Sequence, residues 1–487
     1  MLVLVRYAPE ISLKSTKVKA RFISRLIRNL REAFEKSGVD CKIDRQWNHM
    51  YVEMANPEGL NTLQRVFGVG SMSVIEHRCD PDLSKMEKVI HENYGARAKG
   101  EKICVRAKRS GGIPLRSKEV EIALGSALNQ YAAGVDLENP GLKVHVNMRP
   151  DGVFFYTQTI KGPGGLPIGV EGKALCLISG GFDSAVAAWQ MMKRGLELDY
   201  VLFNMGGQAY KNDVIRVAAA LAHQWSYGYR PRLIIVDFNP VVDRIREKVK
   251  PRFSQVVLKR AFYKCASILA HQIPECPALI TGEAVGQVSS QTLHNLVAID
   301  EAADIPVLRP LIATDKEDII RLARAIGTFH LCEKIKEYCA LTPRYPVTRT
   351  NVKTARSEEE HGFGPGDYDE ILRTSEMVEL SSWSGAEGET SSTFIDHIPE
   401  EAVVIDVRLS HQYQAWHYPG AIHKDLDILT SKKHTLHKDK TYVLYCPFGL
   451  QTSLIAERLQ GEGLSVYSFK GGTRAIQKYC QSEGLDW

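Results

Sequence analysis

The stretch Ala174-Leu175-Cys176-Leu177-Ile178-Ser179-Gly180-Gly181-Phe182-Asp183-Ser184 carries the clearest structural signal in the chain. Its apolar start reads as a buried strand, and an apolar helix from Ser184 to Arg194 follows. Between the two, adjacent glycines let the backbone approach an anion closely, and a helix N-terminus turns its unpaired N–H groups toward it. Ser179 and Ser184 add hydroxyls at either end, while Asp183 can hold a magnesium ion or orient a donor. The lysine of a Walker A loop is missing, and the glycine spacing is not that of a dinucleotide fold. A phosphate-binding strand–loop–helix of another kind is the reading, with an ordinary tight turn as the bland alternative.

Outward from this loop, apolar strands at Tyr200 to Asn204, Leu233 to Phe238 and Ala278 to Thr281 alternate with helices such as Asp213 to Trp225. That order predicts a doubly wound parallel sheet. We place this α/β unit at residues 166–395, its end being a Ser-, Glu- and Gly-rich linker from Ser381 to Ser392. Before it, Gly162-Pro163-Gly164-Gly165 marks a boundary. A small α+β unit is expected over 1–60, with a strand at Val3 to Tyr7 and a helix from Lys17 to Ser37 ended by Gly38. A second α+β unit over 61–165 carries helices Ser84 to Tyr94 and Ser117 to Tyr131 and strands Lys102 to Ala107, Lys143 to Met148 and Gly152 to Lys161. The last unit, 400–487, is again α/β, with strands at Val403 to Val407, Thr441 to Tyr445 and Ser465 to Phe469. The fold class is thus multidomain α/β.

Composition sets the bounds. Of 487 residues, 44% are hydrophobic and 24% charged, as in a globular protein. No apolar run reaches bilayer length, and Met1 to Val5 meets Arg6 too soon for a secretory signal, so a cytoplasmic location is expected. The net charge of +5 is mild, but its distribution is not even. Arg21, Arg25 and Arg28 lie on the first helix, and Lys108 and Arg109 open a glycine-rich loop; these are the candidate RNA-phosphate contacts, against the plain reading of solvated faces. None of the ten cysteines forms a C-x-x-C pair, so neither a zinc site nor a disulfide framework is indicated.

One cysteine has chemical context. Cys446-Pro447-Phe448-Gly449-Leu450-Gln451-Thr452-Ser453 follows a strand and leads into a helix, a cradle that stabilises a thiolate or persulfide. Cys339, in Lys336-Glu337-Tyr338-Cys339-Ala340, reads alone as a bystander, with Cys332 as a competitor.

These motifs resemble known families. Ser-Gly-Gly-Phe-Asp-Ser at 179–184 is similar to the signature of the PP-loop ATP pyrophosphatases, which implies ATP cleaved between its α- and β-phosphates and AMP left on a substrate oxygen. The Cys446 loop, with Asp406-Val407-Arg408, His417-Tyr418-Pro419-Gly420 and Lys470-Gly471-Gly472, resembles a rhodanese domain, although Gln451 and Thr452 stand where many members carry an arginine. The whole chain resembles the bacterial tRNA 4-thiouridine synthetases, which implies a ferredoxin-like domain, a THUMP RNA-binding domain, a PP-loop domain and a rhodanese domain in that order.

The resemblance also implies roles. Cys446 would carry persulfide sulfur from a cysteine desulfurase, and Cys339 would form a disulfide with it, later reduced by a thioredoxin-type donor. Leu177, Ile178, Ser179, Gly180, Gly181, Asp183, Ser184, Lys259, Gly282 and Gln291 would bind ATP with Mg2+ near Asp183. The expected product is 4-thiouridine at position 8 of tRNA, with sulfur also passed to the carrier ThiS for thiamine thiazole synthesis; a homodimer is left open. Rival readings are a different tRNA base as acceptor, a sulfur-relay carrier serving mainly thiazole synthesis, and a non-catalytic RNA-binding scaffold.

Overall fold

The computed structural model describes residues 1–333, 335, 341, 343, 345–383, 393–425, 428–429, 435–447 and 449–485. The chain divides into two compact units, one of Met1–Ile23 with Phe34–Gly165, the other of Ser24–Ala33 with Leu166–Trp487.

The first unit contains two sheets. Strand β1 (Leu2–Tyr7) lies between β3 (His49–Met54) and β4 (Val69–Ile75), antiparallel to both, with β2 (Cys41–Arg45) and β10 (Ile160–Lys161) at the edges. The second sheet runs β5 (His77–Cys79), β9 (Gly152–Tyr156), β8 (Leu142–Arg149), β6 (Lys102–Arg109), β7 (Gly134–Val135). Helices Leu83–Asn93 and Ser117–Asn129 cover one of its faces through Ile90, Val120 and Leu124, which pack with Val144, Val146 and Phe155. Leu4, Tyr51 and Phe154 form an apolar contact between the two sheets.

Two features differ from the expectation. The first sheet takes β4 from beyond residue 60, so the first α+β unit extends past that boundary. The predicted strand from Gly152 to Lys161 is broken, and β9 and β10 enter different sheets. Glu76 makes the break: Oε1 accepts from the Thr157 N–H at 3.1 Å and from the Thr157 hydroxyl, holding the two crossing segments together.

The second unit is built on a six-stranded sheet, β15 (Val307–Leu308), β14 (Leu279–Ile280), β11 (Lys173–Leu177), β12 (Glu197–Asn204), β13 (Arg232–Asp237), β16 (Glu376–Glu379). The first five are parallel, as a doubly wound fold requires; β16 pairs antiparallel with β13 and was not foreseen. Chain order reverses between β11 and β14, and a crevice for a ligand opens at the carboxyl ends of such strands. Leu175, Val201, Ile234 and Val236 form the core with residues of helix Ser254–Gln272. The same unit holds a five-stranded parallel sheet, β17 (Phe394–Ile395), β21 (Ser465–Phe469), β20 (Thr441–Tyr445), β18 (Val403–Asp406), β19 (Ile422–His423).

A buried ionic cluster ties helix Ser254–Gln272 to helix Val352–Gly362. Arg260, 1% exposed, gives Nε to Glu359 Oε2 at 2.9 Å and pairs with Glu301 at 2.9 Å. Breaking such a pair from one side leaves a charge without its partner, so Arg260→Met should destabilise the unit by about 3 kcal/mol. Urea unfolding of the purified variant measures this, and an unchanged midpoint contradicts it.

Candidate functional site

Leu177 ends β11, and the N–H of Ile178 still bonds to Val201 O at 2.9 Å. The chain then turns at Gly180, where φ is +77° and an added Cβ would lie 2.6 Å from Ile335 Cδ1. Gly181 caps helix Phe182–Lys193, and no side chain closes its first turn, so the N–H groups there are left for an anion. The Ser184 hydroxyl, buried at 6%, donates to Gly181 O at 3.1 Å and accepts from the Ser179 N–H at 3.3 Å, which fixes the loop from within.

Gly282 follows β14 and abuts this loop. A Cβ there would stand 2.5 Å from the Asp183 carbonyl carbon and 2.7 Å from Ser184 N, contacts that no side chain tolerates. The sequence reading of Gly282 as a close-approach glycine therefore has a geometric basis.

Asp183 is held from two sides. Its Oδ1 accepts from Lys316 Nζ at 2.7 Å, and its Oδ2 from Gln287 Nε2 at 2.8 Å. Lys316, in the first turn of helix Lys316–Ile326, was missed by the sequence reading; nothing local marks it, and it reaches Asp183 across 133 residues.

The other expected nucleotide contacts come from the loops after β14 and from the neighbouring helix. Lys259, on helix Ser254–Gln272, pairs with Glu283 Oε1 at 3.3 Å, beside Gly282. Burial acts most strongly on Glu283 and would raise its pKa, yet Lys259, the Tyr263 hydroxyl and Arg309 together hold it below the usual carboxylate range. Gln291 is 8% exposed, and its Oε1 is buried without a hydrogen-bonding partner among the described residues. Its carbonyl accepts from the Gly286 N–H at 3.0 Å, which closes the segment carrying Gln287.

These features suit ATP. Uncapped N–H groups and two lysines offer positive charge to a polyanion, glycines leave room for backbone contact, and an orphaned amide oxygen is available to accept from a base amino group. A magnesium ion bound through phosphate oxygens needs only one or two protein carboxylates, and Asp183 could supply one on exchanging Lys316 or Gln287. No group of three or more metal-ligating side chains occurs among the described residues.

The second centre lies at the end of β20. Cys446 is 2% exposed, and its carbonyl accepts from the Thr473 N–H at 3.0 Å. Gly449, at φ +79°, shapes the loop that enters helix Leu450–Gly461. The Thr452 hydroxyl lies 3.5 Å from Cys446 Sγ and 2.7 Å from the Ser468 hydroxyl. Where many rhodanese-like sequences place an arginine, this chain thus sets a neutral donor on the sulfur. Behind the loop, Asp406 and Arg408 form a buried pair at 2.8 Å, and Tyr445 donates to the same carboxylate at 2.6 Å. Cys339 lies outside the described residues.

The candidate RNA contacts separate. Arg21, Arg28, Lys108 and Arg109 are exposed, although Arg109 also donates to Ile113 O at 3.1 Å. Arg25 is engaged within the protein: its guanidinium meets Glu197 Oε1 at 2.6 Å and Gly228 O at 2.9 Å, against the expectation of an outward-facing arginine.

Comparison with known proteins follows the same divisions. Residues 2–73 match a ThiI ferredoxin-like domain, 83–158 a THUMP domain, 169–362 the thiamine biosynthesis protein ThiI, and 390–479 a rhodanese-like domain. A tRNA sulfurtransferase of Desulfurococcus amylolyticus is 36% identical over 96% of this chain and 97% of its own length. One from Aeromonas hydrophila subsp. hydrophila is 34% identical over 95% of this chain and 98% of its own. A crystal structure of a 4-thiouridine synthetase–RNA complex with bound ATP superposes with a TM-score of 0.66 at 27% identity, covering 77% of this chain and 98% of that one. The relatives come from archaea as well as bacteria, so the likeness is not to bacterial members alone. With whole-length similarity to both groups and four matched modules around these two centres, the chain belongs to the tRNA sulfurtransferase family.

Proposed function

We infer that this ATP-dependent tRNA sulfurtransferase adenylates uridine 8 of tRNA and replaces its O4 with sulfur. The observation that carries the reading is the uncapped Ser179–Ser184 loop locked by Gly282, in one chain with a loop cysteine of rhodanese type. The uracil oxygen attacks the α-phosphate of ATP and pyrophosphate leaves. Lys259 and Lys316 steady the phosphates, and Gln291 accepts from the adenine amino group. Magnesium, when bound at Asp183, neutralises phosphate charge.

Sulfur reaches Cys446 as a persulfide from a cysteine desulfurase. Its outer sulfur attacks C4, and O4 departs with AMP. The Cys339 thiolate then attacks Cys446 Sγ, forming a disulfide and leaving the sulfur on the base; a thioredoxin-type dithiol reduces the disulfide. Exposed Arg21, Arg28, Lys108 and Arg109 supply phosphate contacts to tRNA. Arg25, whose guanidinium is taken by Glu197 and the Gly228 carbonyl, is not among them. A cytoplasmic setting, where tRNA and dithiol reductants meet, fits this chemistry. The match of 169–362 to a thiamine biosynthesis protein favours a second outlet, with Cys446 persulfide passed to ThiS for thiazole synthesis.

Two variants test the scheme. Cys446→Ala should leave tRNA without 4-thiouridine while the tRNA-dependent release of pyrophosphate in the adenylation step persists; nucleoside mass spectrometry reads the first, and undiminished 4-thiouridine contradicts the assignment. Gly282→Ala should push on the Asp183 backbone and lower tRNA-dependent AMP formation by about 100-fold, the loss expected from misplaced reacting groups. Persulfide loading of Cys446 should stay normal in that variant; wild-type AMP formation contradicts the placement of ATP.

A further inference from the structure

We propose that Glu283 is a positioning residue for the nucleotide, holding the Lys259 ammonium in register with the phosphate loop. The inference rests on the reading of Lys259 as a nucleotide contact.

The two oxygens of Glu283 are treated differently. Oε2 accepts from the Tyr263 hydroxyl, from Thr281 Oγ1 at 3.2 Å and from Arg309 Nε at 3.0 Å. Oε1 makes no hydrogen bond among the described residues and faces Lys259 Nζ at 3.3 Å. One side of the carboxylate is therefore anchored by three donors. The other side attracts the ammonium without closing on it, which leaves the N–H groups of Lys259 for a second anion. The carboxylate is 5% exposed and the lysine side chain 30%, so the ammonium stands at the edge of the buried network.

Glu283 is also fixed relative to the phosphates. It is joined directly to Gly282, whose backbone abuts Asp183 and Ser184. Lys259 belongs to a different layer, the helix Ser254–Gln272, and has four flexible methylenes. A lysine without a fixed counter-charge would sample many rotamers. Glu283 ties its head group to the element that carries the loop, and so removes part of the ordering cost of binding.

The test is a double-mutant cycle on tRNA-dependent AMP formation by the full chain, with KM for ATP and kcat measured separately. Glu283→Gln should raise KM for ATP about tenfold, the loss of one charge-assisted contact, with kcat changed less than about threefold. Lys259→Ala should do the same, and the double variant should be no worse than either single one. Tyr263→Phe, which removes a bond on the anchored side only, should lower thermal stability and leave KM for ATP unchanged. Where Glu283→Gln fails to fold, Glu283→Asp carries the test, since it keeps the charge but draws it back from Lys259.

Additive effects of the two single changes, or a KM increase in Tyr263→Phe equal to that of the Glu283 variant, would overturn the proposal and leave Glu283 a structural residue. A wild-type KM in Lys259→Ala would instead remove Lys259 from the nucleotide site, and the positioning role with it.

Discussion

The contact between Gly282 and the backbone of Asp183 and Ser184 is the constraint on which the ATP-side architecture depends. There is no space for a Cβ at 282, so the end of β14 and the start of helix Phe182–Lys193 meet backbone to backbone. This happens where the order of the parallel strands reverses, the place at which an open sheet leaves a crevice. Everything attached to the two segments is registered by that contact. The phosphate loop sits on one side, Glu283 and its ion pair with Lys259 on the other, and Gln287 reaches back to Asp183 from the loop that follows.

The two chemical centres solve opposite electrostatic problems. In the proposed reaction the loop at 179–184 has to attract a highly charged nucleotide, for which it offers a helix N-terminus and flanking lysines. As the proposed persulfide carrier, the Cys446 loop has to keep a sulfur anion reactive while shielding it from water. It buries the cysteine, sets a threonine hydroxyl near the sulfur, and is braced by the Asp406–Arg408 pair, in which the two charges satisfy each other. A neutral donor in place of an arginine leaves the sulfur less strongly held, a property suited to handing it on.

Much of this was legible in the sequence because the information is local. The strand, glycine pair and helix start at 174–184 are contiguous, and residue type alone specifies their geometry; the same is true of the Cys446 loop. What was not legible depends on distant contacts. Lys316 and Gln287 reach Asp183 across 133 and 104 residues, and no local pattern announces either. Arg25 looked like a surface charge on a basic helix, but Glu197, 172 residues away, takes its guanidinium. The strand Val69–Ile75 escaped notice because Gly70 and two serines blur its alternation; Gly70 is needed there, since a Cβ would lie 2.7 Å from Tyr7 O. Cys339 was singled out through family resemblance alone, because its own surroundings carry no signal.

In the proposed reaction the uracil oxygen itself takes the adenylyl group before sulfur arrives. The direct measurement uses tRNA whose target uridine carries 18O at O4, incubated with the purified chain, ATP and a persulfide source, with the released AMP analysed by mass spectrometry. Transfer of the label into the AMP phosphate is the predicted result. AMP formed without the label, alongside thiolated tRNA, would show that the oxygen leaves by another route and would contradict adenylation at O4.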